Sequence, residues 1–452
     1  MSESPANASA GQLAAAPTRP EPSRLYRWIV LVFLSVAMAG NYYIYDAINP
    51  LVDIFVKQLG FTDAMVGWLN ASYSVAALLT LLIGGIIIDR IGTKKAIAFF
   101  GVLCLLGALL TAMKGSFSTM VAGRTVLGLG AESMIVAVTT ALAKWFKGKE
   151  LSFAFGINLT IARLASVAAD NSPTWASFAF YPHGPSGAPS WRGPMFISVA
   201  AGVLCVAGAL VYWGLENQAA RRFALGKAGA IDKLEWKHVF RFPASYWFIV
   251  GLCLTFYSAI FPFRTFAIKF FMDTHFTQVS QDAAREAAGF FNSLLPFSAM
   301  IATPLFGLLV DKVGKRALFM MFGCLLLMPV YLIMAYSSVS LWLPVSMMGV
   351  AFSLIPAVMW PSVAYVVQEQ RLGTAYALMT FLQQIGFFVL NLAIGKANDL
   401  AGASQQNPHG YALGMWIFST LGFLGMLFAY LLRRRETGPH AHGLETITVG
   451  SS

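Results

Sequence analysis

The chain has 452 residues, of which 57% are hydrophobic and 11% are charged, with a mean hydropathy of +0.66. Soluble globular proteins carry about 25% charged residues, so this composition excludes an ordinary water-exposed surface and indicates a membrane protein. The formal net charge is +11, and the positions of the basic residues decide whether that charge reflects nucleic-acid binding or membrane topology.

Apolar runs of membrane-spanning length follow one another along the chain. Roughly 20 helical residues cross a hydrocarbon core of about 30 Å. The runs lack the alternation of barrel strands, and lipid admits only helices or closed barrels. The sequence therefore predicts an all-α integral membrane fold, with twelve transmembrane helices in two six-helix halves. The predicted spans are 28–56, 64–88, 96–113, 118–144, 151–178, 194–214, 245–272, 286–310, 317–337, 341–367, 373–398 and 410–432.

Lysine and arginine are unevenly divided between alternate connections. Of the 31 basic residues, 22 flank the connections on the side that also holds both termini. Cytoplasmic loops carry the excess of Lys and Arg, so we expect both termini to be cytoplasmic. The net charge then reports topology, and no nucleic-acid partner is expected. The opposite connections hold Lys57, Lys114, Arg192, Lys269, Arg285 and Lys396.

Composition divides the chain into two bundles and three connecting or terminal segments. The first segment is rich in Ala, Ser and Pro, lacks a signal-peptide pattern and is predicted to be disordered. The linker has mixed charge, and a short surface helix is expected in it from Lys233 to Phe242. The predicted segments are a cytoplasmic tail at 1–25, a bundle at 26–214, a cytoplasmic linker at 215–244, a bundle at 245–434 and a cytoplasmic tail at 435–452.

One short motif occurs at corresponding points of the two halves. The segment Gly85 to Gly92, GIIIDRIG, matches the segment Gly307 to Gly314, GLLVDKVG, after an offset of 222 residues, the difference between 307 and 85. Many transporters are built from two repeats with the substrate site between them. The chain is therefore predicted to be a duplicated unit that moves a substrate.

Motifs for catalysis and for cofactors are missing from the sequence. It contains no phosphate-binding loop and no zinc-type His pair, and its four cysteines occur singly in four spans. We therefore expect no enzyme activity, no cofactor and no metal. Transport must draw on a gradient, either that of the substrate or that of a coupled ion.

Glu132 and Arg163 are predicted to lie at similar depth near the middle of the membrane. Glu132 lies 15 residues before Lys147, and Arg163 lies 13 residues after Glu150. An ionisable side chain inside a span costs roughly 2.5–3.5 kcal/mol on insertion scales, so it needs a partner or a function. Two alternatives are open: a structural salt bridge, or opposite walls of a polar cavity that binds the two charged ends of a zwitterion.

The repeat favours the cavity alternative. The offset of 222 residues places Glu132 on Leu354 and Arg163 on Ile385, so the second half has no equivalent charges. Because the structure common to the two repeats does not require these charges, we interpret them as residues that determine substrate specificity.

Two further arginines lie inside spans. Arg124 is about two helical turns from Glu132, where a structural role, a gating role and a substrate contact are all open. Arg264 follows Phe261-Pro262-Phe263, where the proline is expected to break the helix. We expect Arg264 to extend its charge to the membrane interface near the outer mouth.

Polar and aromatic residues in the spans complete the predicted cavity. Asp46 and Gln384 are further members of this polar set. The predicted substrate-binding residues are Glu132, Arg163, Tyr42, Tyr45, Asn158, Tyr257, Asn292, Trp360 and Gln383.

The twelve spans and the doubled Gly-x-x-x-Asp-(Arg/Lys)-x-Gly turn resemble the major facilitator superfamily. The resemblance implies that Asp89 and Asp311 pack at the cytoplasmic start of a helix in the other half, near Gly373 and Leu151, and hold the outward-facing state. The segment from Arg124 to Gly130 resembles a motif in the fourth helix of the family. The implied gating residues are Asp89, Arg90, Arg124, Asp311 and Lys312.

Within the superfamily, the chain resembles the lysosomal dipeptide uniporters. The resemblance implies that Glu132 holds the amino terminus of a dipeptide and that Arg163 holds its carboxyl terminus. Arg264 and Ala131 depart from the pattern of that family, so the side-chain preference can differ. The resemblance rests on Tyr45-Asp46, Gly130 to Ser133, Trp145 to Leu151, Ala162-Arg163, Phe261 to Phe263, Phe306 to Gly314, Trp360-Pro361 and Leu372 to Tyr376.

The sequence as a whole predicts an alternating-access transporter of dipeptides that works by facilitated diffusion, as a uniporter. A transporter of organic anions or amino acids, with proton coupling as an option, is the alternative. The expected partners are a small zwitterionic substrate and the lipid bilayer, with the chain acting as a monomer. Without a glycosylation site in an outer loop or an acidic dileucine signal, a bacterial inner membrane is expected, with the lysosomal membrane as the alternative.

Overall fold

The computed structural model describes residues 20–146, 150–184, 187–223, 242–368 and 371–448, and these ranges are mainly helical. Twelve of the described helices are long and apolar enough to cross a membrane, which confirms the predicted all-α membrane fold. They are α1 Arg24–Asp46, α2 Asp63–Ile91, α3 Thr93–Met113, α4 Phe117–Phe146, α5 Leu151–Asp170, α6 Arg192–Arg222, α7 Ala244–Thr274, α8 Gln281–Val313, α9 Arg316–Tyr336, α10 Trp342–Val366, α11 Leu372–Leu400 and α12 Ala412–Glu436.

Two predicted spans are longer than the helices that the structure contains. The first ends at Asp46 and the fifth at Asp170, before short helical segments at Asn49–Leu51 and Ser172–Trp175. Each short segment has a proline in its first turn, where the missing N–H costs no hydrogen bond. The predicted end of the fifth span at residue 178 is wrong. The first predicted span lies within one helical stretch of membrane-spanning character, Arg24–Leu59, although an apolar run does not reveal the change of helix inside it.

Helix α7 passes through Pro262 without interruption, so the predicted helix break there is wrong. The proline lies inside a helix that runs from Ala244 to Thr274, and both Pro262 and Phe263 are buried. Transmembrane helices tolerate an internal proline because neighbouring helices and small adjustments satisfy the freed backbone groups.

Each half has its own hydrophobic core. Buried side chains such as Leu34 and Phe100 fill the space among α1–α6, and Phe256 and others do so among α7–α12. Val52 and Val66 come from the first half but pack into the core of the second. The halves therefore share apolar contacts where the segment after α1 and the start of α2 meet the second half.

Helix α6 continues to Arg222, into the region predicted as a linker. Residues 224–241 lie outside the described residues, and so does most of the predicted surface helix from Lys233 to Phe242. Residues 1–19 of the predicted first tail also lie outside them. The segment boundaries drawn from the sequence stay predictions.

The repeated motif forms the tight turns between α2 and α3 and between α8 and α9. Gly92 has φ +80° and Gly314 has φ +71°. Positive φ is strained for residues with a side chain and free of strain for glycine. This explains the glycine at the end of each copy. We call the side of the bundle that holds these turns the basic side, and the other the opposite side.

The segment after α12 folds back onto the second repeat. The backbone N–H of Arg316 donates to the carbonyl of Leu444 at 3.0 Å, and the N–H of Ala317 donates to Glu445 Oε1 at 2.8 Å. Leu444 is fully buried. Residues 437–448 of the predicted tail therefore pack at the start of α9.

The two halves approach most closely on the opposite side. A Cβ on Gly67 in α2 would lie 2.3 Å from the carbonyl oxygen of Asn391 in α11, and one on Gly289 in α8 would lie 2.3 Å from that of Asp170 in α5. Small residues allow such close approach of helices in lipid. Toward the basic side, the halves are separated by a cavity.

Candidate functional site

A cavity of about 150 Å³ lies between the two halves. We call it the central cavity. A second cavity of about 410 Å³, the vestibule, shares Glu132 with it and extends along Gly85 and Ala143 to the basic side. The protein is thus open on the basic side and closed on the opposite side. The central cavity is lined by Asn41, Tyr42, Tyr45, Tyr73, Glu132, Ile135, Arg163, Phe261, Gln383, Gln384 and Phe387.

The Glu132 carboxylate receives one hydrogen bond from each half. Tyr73 Oη in α2 donates to Oε1 at 3.0 Å, and Gln384 Nε2 in α11 donates to the same atom at 3.0 Å. Gly128, one turn before Glu132, makes the first contact possible, because a Cβ there would lie 2.3 Å from the carbonyl oxygen of Tyr73. Close packing of α2 on α4 thereby places the phenol beside the carboxylate.

Arg163 extends from α5 toward the second half. The centre of its guanidinium lies 5.0 Å from the ring centroid of Phe352 in α10. A cation over an aromatic face is attracted to the ring quadrupole. Phe352 is buried and packs against Phe261, a cavity-lining residue, with the ring centroids 6.0 Å apart. The guanidinium is therefore held on the cavity wall without a carboxylate partner among the described residues.

Glu132 and Arg163 line the same cavity without bonding to each other. Within the described chain, each has other contacts, and the two side chains form no ion pair within 4.0 Å. The simpler alternative, a structural salt bridge between neighbouring helices, is therefore not what the structure contains. Two opposite charges remain available to one ligand.

Aromatic rings form most of the remaining lining. Tyr45 and Tyr73 meet edge to face with their centroids 4.8 Å apart, and Phe261 lies 5.0 Å from Phe387. Tyr42 and Gln383 complete the wall, and Cys253 Sγ lies 3.9 Å from Gln383 Oε1. Such walls offer apolar area together with hydroxyl and amide groups, which suits a ligand with both apolar and polar parts.

Two predicted residues lie behind the wall of the cavity. Trp360 Nε1 donates to Tyr257 Oη at 2.9 Å, and the Tyr257 ring lies 5.9 Å from that of Phe261. Tyr376, which lines the vestibule, donates its hydroxyl to the carbonyl of Trp360 at 3.2 Å. Tyr257 and Trp360 support lining residues, and neither is among the described residues that line the two cavities.

Asn158 and Asn292 lie away from the central cavity. Asn158 is buried within the first half, where its Nδ2 donates to Ser35 Oγ at 3.0 Å. Asn292 donates to Asp170 Oδ1 at 2.9 Å on the closed side. Span position predicted their burial, but the direction in which each faces is set by helix rotation.

Arg124 is buried inside the first half. Its side chain is 1% exposed, its Nη1 donates to the carbonyl of Tyr45 at 3.1 Å, and its Nη2 donates to Asn70 Oδ1. The guanidinium also lies 5.2 Å from the Tyr45 ring centroid and 5.5 Å from that of Tyr73. Of the alternatives left open by the sequence, this geometry favours the structural role, because Arg124 joins α4 to α1 and α2 behind the lining tyrosines.

Arg264 is buried between the halves, so its expected interfacial position is wrong. Its side chain is 3% exposed and bonds to Asp46 Oδ1 at 3.2 Å and to Asp170 Oδ2 at 2.7 Å. Asn49 Nδ2 also donates to both carboxylates, at 3.3 and 3.2 Å. The two partners are 218 and 94 residues away in the chain, so no local pattern revealed them. Asp46 therefore belongs to this network and does not line the cavity.

Two more buried ion pairs join the halves on the closed side. Lys269 Nζ lies 2.8 Å from Asp63 Oδ1, and Arg285 Nη2 lies 2.6 Å from Asp53 Oδ2. The Asp399 carboxylate accepts the first N–H groups of α2, at 2.8 Å from Asp63 and 2.9 Å from Ala64. A helix N-terminus favours such a negative charge. The opposite side is thus closed by charge as well as by helix packing.

The predicted gating residues in the repeated turns lie on the basic side. Asp89, Arg90 and Lys312 are exposed. Asp311 Oδ1 accepts a hydrogen bond from Arg316 Nη2 at 3.0 Å, within its own half. The predicted role of Asp311 at a helix start of the other half when the basic side is closed stays a prediction.

Sequence reasoning missed several residues of the site. Tyr73, Phe352 and Phe387 contact the charges or line the cavity. Tyr73 follows Asn70 by one turn, a polar pattern in span two that could have indicated it. Phe352 has no such signal, because it is one apolar residue among many. Within the described ranges, no group of three or more His, Cys, Asp or Glu residues could hold a metal ion.

Comparison with known proteins covers almost the whole chain. The family profile described as Major Facilitator Superfamily matches residues 32–391 and 283–448. The lysosomal dipeptide transporter MFSD1 of Danio rerio is 32% identical over 386 residues, covering 84% of this chain and 82% of the relative. MFSD1 of Homo sapiens is 29% identical over 432 residues, covering 94% and 90%.

Solved structures with the same fold include two transporters. A bacterial homologue of the human lysosomal transporter Spinster, in an inward-facing and unoccupied conformation, superposes with a TM-score of 0.69 at 17% identity, covering 91% of this chain and 98% of its own. The nucleoside transporter NupG superposes with a TM-score of 0.67 at 12% identity, covering 90% and 99%. These likenesses bear on the fold alone.

Proposed function

This chain belongs to the major facilitator superfamily, and we propose that it carries dipeptides across the membrane by alternating access. The observation that carries the proposal is the placement of Glu132 and Arg163. They are opposite charges on one cavity, each held by neutral groups and neither bonded to the other. The similarity to the dipeptide transporters supports the same substrate class.

A dipeptide zwitterion fits the chemistry of this cavity. Its ammonium would bind the Glu132 carboxylate, and its carboxylate would bind the Arg163 guanidinium, which can donate two parallel hydrogen bonds to it. An extended chain advances at most about 3.3–3.6 Å per residue, so the termini of a dipeptide are several ångströms apart. The aromatic walls would contact the two side chains. Each further residue would move the two termini farther apart, so we expect longer peptides to fit poorly between Glu132 and Arg163.

The two sides of the structure suggest how alternating access proceeds. If the basic side faces the cytoplasm, as the distribution of Lys and Arg predicts, this conformation is open to the inside and closed to the outside. Closure of the basic side would bring Asp89 and Asp311 to helix starts in the other half. Opening of the opposite side would separate Arg264 from Asp46 and Asp170.

The proposed mode is uniport, in a multi-pass membrane protein with both termini in the cytoplasm. We assign uniport to this chain because it resembles the dipeptide uniporters. A bacterial inner membrane is the proposed location, because no outer-loop glycosylation site is present in the sequence. The curated relatives named above are lysosomal, which keeps the lysosomal membrane as the alternative.

Counterflow in proteoliposomes tests the proposal. Vesicles loaded with unlabelled dipeptide should accumulate labelled dipeptide through the native protein, and Glu132→Gln or Arg163→Ala should abolish this accumulation. Glu286→Gln and Arg192→Ala are matched controls, since they alter the same residue types outside the two cavities.

Folded native protein without dipeptide counterflow would reject the proposal and direct attention to organic anions and single amino acids. Retained dipeptide counterflow in Glu132→Gln would contradict the assigned role of the carboxylate. Equal losses in the control variants would show that the assay reports folding and not binding.

A further inference from the structure

Both charged residues of the central cavity contact uncharged groups of the other half. Glu132 belongs to the first half and accepts a hydrogen bond from Gln384 Nε2 of α11, 252 residues away in the chain. Arg163 also belongs to the first half and lies over the Phe352 ring of α10. The second half thus supplies a donor where a substrate ammonium would bind and an electron-rich face where a carboxylate would bind.

This arrangement matters for the return of the empty carrier. A uniporter that completes a net transport cycle must reorient without substrate, and during reorientation the cavity passes through a state closed to water. A buried charge without a partner is strongly unfavourable. Substrate neutralises Glu132 and Arg163 in the loaded carrier, so the empty carrier needs substitutes from the protein.

We propose that Gln384 is the positioning residue that permits reorientation of the empty carrier, an inference that rests on the proposed dipeptide uniport. Its amide donates to Glu132 across the interface between the halves and takes the place of the substrate ammonium. An ionised carboxylate only accepts hydrogen bonds, so Glu132 holds the NH₂ group of Gln384 toward itself. Gln384 Oε1 is buried without a hydrogen-bond partner in the described structure, which leaves the contact with Glu132 as the bond that orients this amide.

Tyr73 provides an internal comparison. Its hydroxyl donates to the same Oε1 atom at the same distance of 3.0 Å, but it belongs to the same half as Glu132 and moves with it. Loss of the Tyr73 bond should weaken the site equally in the loaded and the empty carrier. Loss of the Gln384 bond should affect the empty carrier more than the loaded one, because substrate replaces this bond in the loaded carrier.

The test compares two fluxes through the same reconstituted protein. Counterflow requires only the movement of the loaded carrier, whereas net uptake into dipeptide-free vesicles requires the empty carrier to return. Gln384→Leu keeps the approximate volume and removes the donor. We expect the ratio of net uptake to counterflow to fall roughly tenfold to a hundredfold relative to the native protein, the range for a lost hydrogen bond to a charged group.

Three controls make the result decisive. Tyr73→Phe should lower both fluxes by the same factor and leave their ratio unchanged. Gln384→Asn retains an amide donor one methylene shorter and should restore part of the ratio. If Gln384→Leu does not fold, as judged by size-exclusion chromatography in detergent, Gln384→Asn and Gln384→Met supply the same comparison.

A Gln384→Leu variant with equal losses in both fluxes would overturn the inference and make Gln384 an ordinary substrate contact. Unchanged fluxes would overturn it as well. Failure of the proposed function is a separate result, because it would appear as missing counterflow in the native protein.

Discussion

Ion pairs on the opposite side of the bundle connect the two halves, whereas the described ion pairs on the basic side lie within one half. On the opposite side, Arg264, Lys269 and Arg285 of the second half pair with carboxylates of the first. On the basic side, the described ion pairs stay within a half, as in Lys144 with Glu216 at 2.7 Å and Arg316 with Asp311 at 3.0 Å. Charge therefore holds the halves together on one side and consolidates each half on the other.

This difference indicates which contacts set the conformation and which only maintain the halves. Pairs between halves must break when the opposite side opens, so their free energy contributes directly to the balance between conformations. Pairs within a half persist in either conformation and contribute to the stability of that half. Mutations on the two sides should therefore be separable in experiments.

The largest expected effect comes from Arg264→Ala. Removing one partner of a buried pair costs about 3–5 kcal/mol because it leaves uncompensated charge, and here Asp46 and Asp170 are both left. The closed state should be destabilised relative to the state open on the opposite side. A cysteine at position 391, buried behind the closed side, should then react faster with an impermeant maleimide added from that side, in a background without the native cysteines.

A charge-neutral background provides the control for Arg264→Ala. Adding Asp46→Asn and Asp170→Asn removes the stranded carboxylates and should reverse part of the increase in labelling. An unchanged labelling rate in Arg264→Ala would contradict the view that this network holds the side closed.

A steric change on the opposite side should act in the same direction with a smaller effect. In Gly67→Val, the new Cβ would lie 2.3 Å from the carbonyl oxygen of Asn391, so α2 and α11 must move apart. Overpacking costs about 1–3 kcal/mol, and here it destabilises the closed state. The cysteine assay should report faster labelling than in the native protein, and net dipeptide uptake should fall.

Gly156→Val in α5 is the matched control, because a Cβ at Gly156 meets no atom within 4 Å. It should leave the labelling rate at the native value. A rise as large as that of Gly67→Val would mean that the effect arises from valine in a helix and not from the contact between halves.

On the basic side, Glu216→Gln should lower stability without changing the conformational balance. The variant loses the charge that pairs with Lys144 at 2.7 Å but keeps hydrogen-bonding capacity toward it and toward Tyr212. We expect a loss of about 1–2 kcal/mol in the free energy of unfolding of the first half. Thermal melting in detergent measures this loss, and faster labelling at position 391 would argue against the separation of the two sides.

The smallest effect is expected for Glu445→Ala. Its carboxylate accepts the N–H of Ala317 at the start of α9, as an N-cap does, and loss of an N-cap costs about 1 kcal/mol. The melting temperature should fall slightly, with the labelling rate unchanged. Glu445→Gln keeps an acceptor and should melt closer to the native protein.

The two charges of the central cavity could be singled out from the sequence, and the ion pairs of the closed side could not. Residue counts from the basic turn placed Glu132 and Arg163 at similar depth, and the repeat showed that the second half lacks them. Depth along a helix follows from rise per residue. The direction in which a side chain points from its helix depends on the rotation and packing of that helix. For that reason Asn158 and Asn292 were predicted in the cavity but lie elsewhere.

Sequence alone determined the class of protein, the twelve spans and the duplicated turns. Apolar runs of this length form helices in lipid because a helix satisfies its backbone hydrogen bonds internally. The sequence also singled out four charges that a membrane interior would not hold without cause, Arg124, Glu132, Arg163 and Arg264, but it did not single out Asp170. Tertiary structure decided what each charge contacts and which side of the bundle is closed. Asp46, Asp170 and Arg264 come from three helices far apart in the chain, and only the packing of one half against the other brings opposite charges within bonding distance.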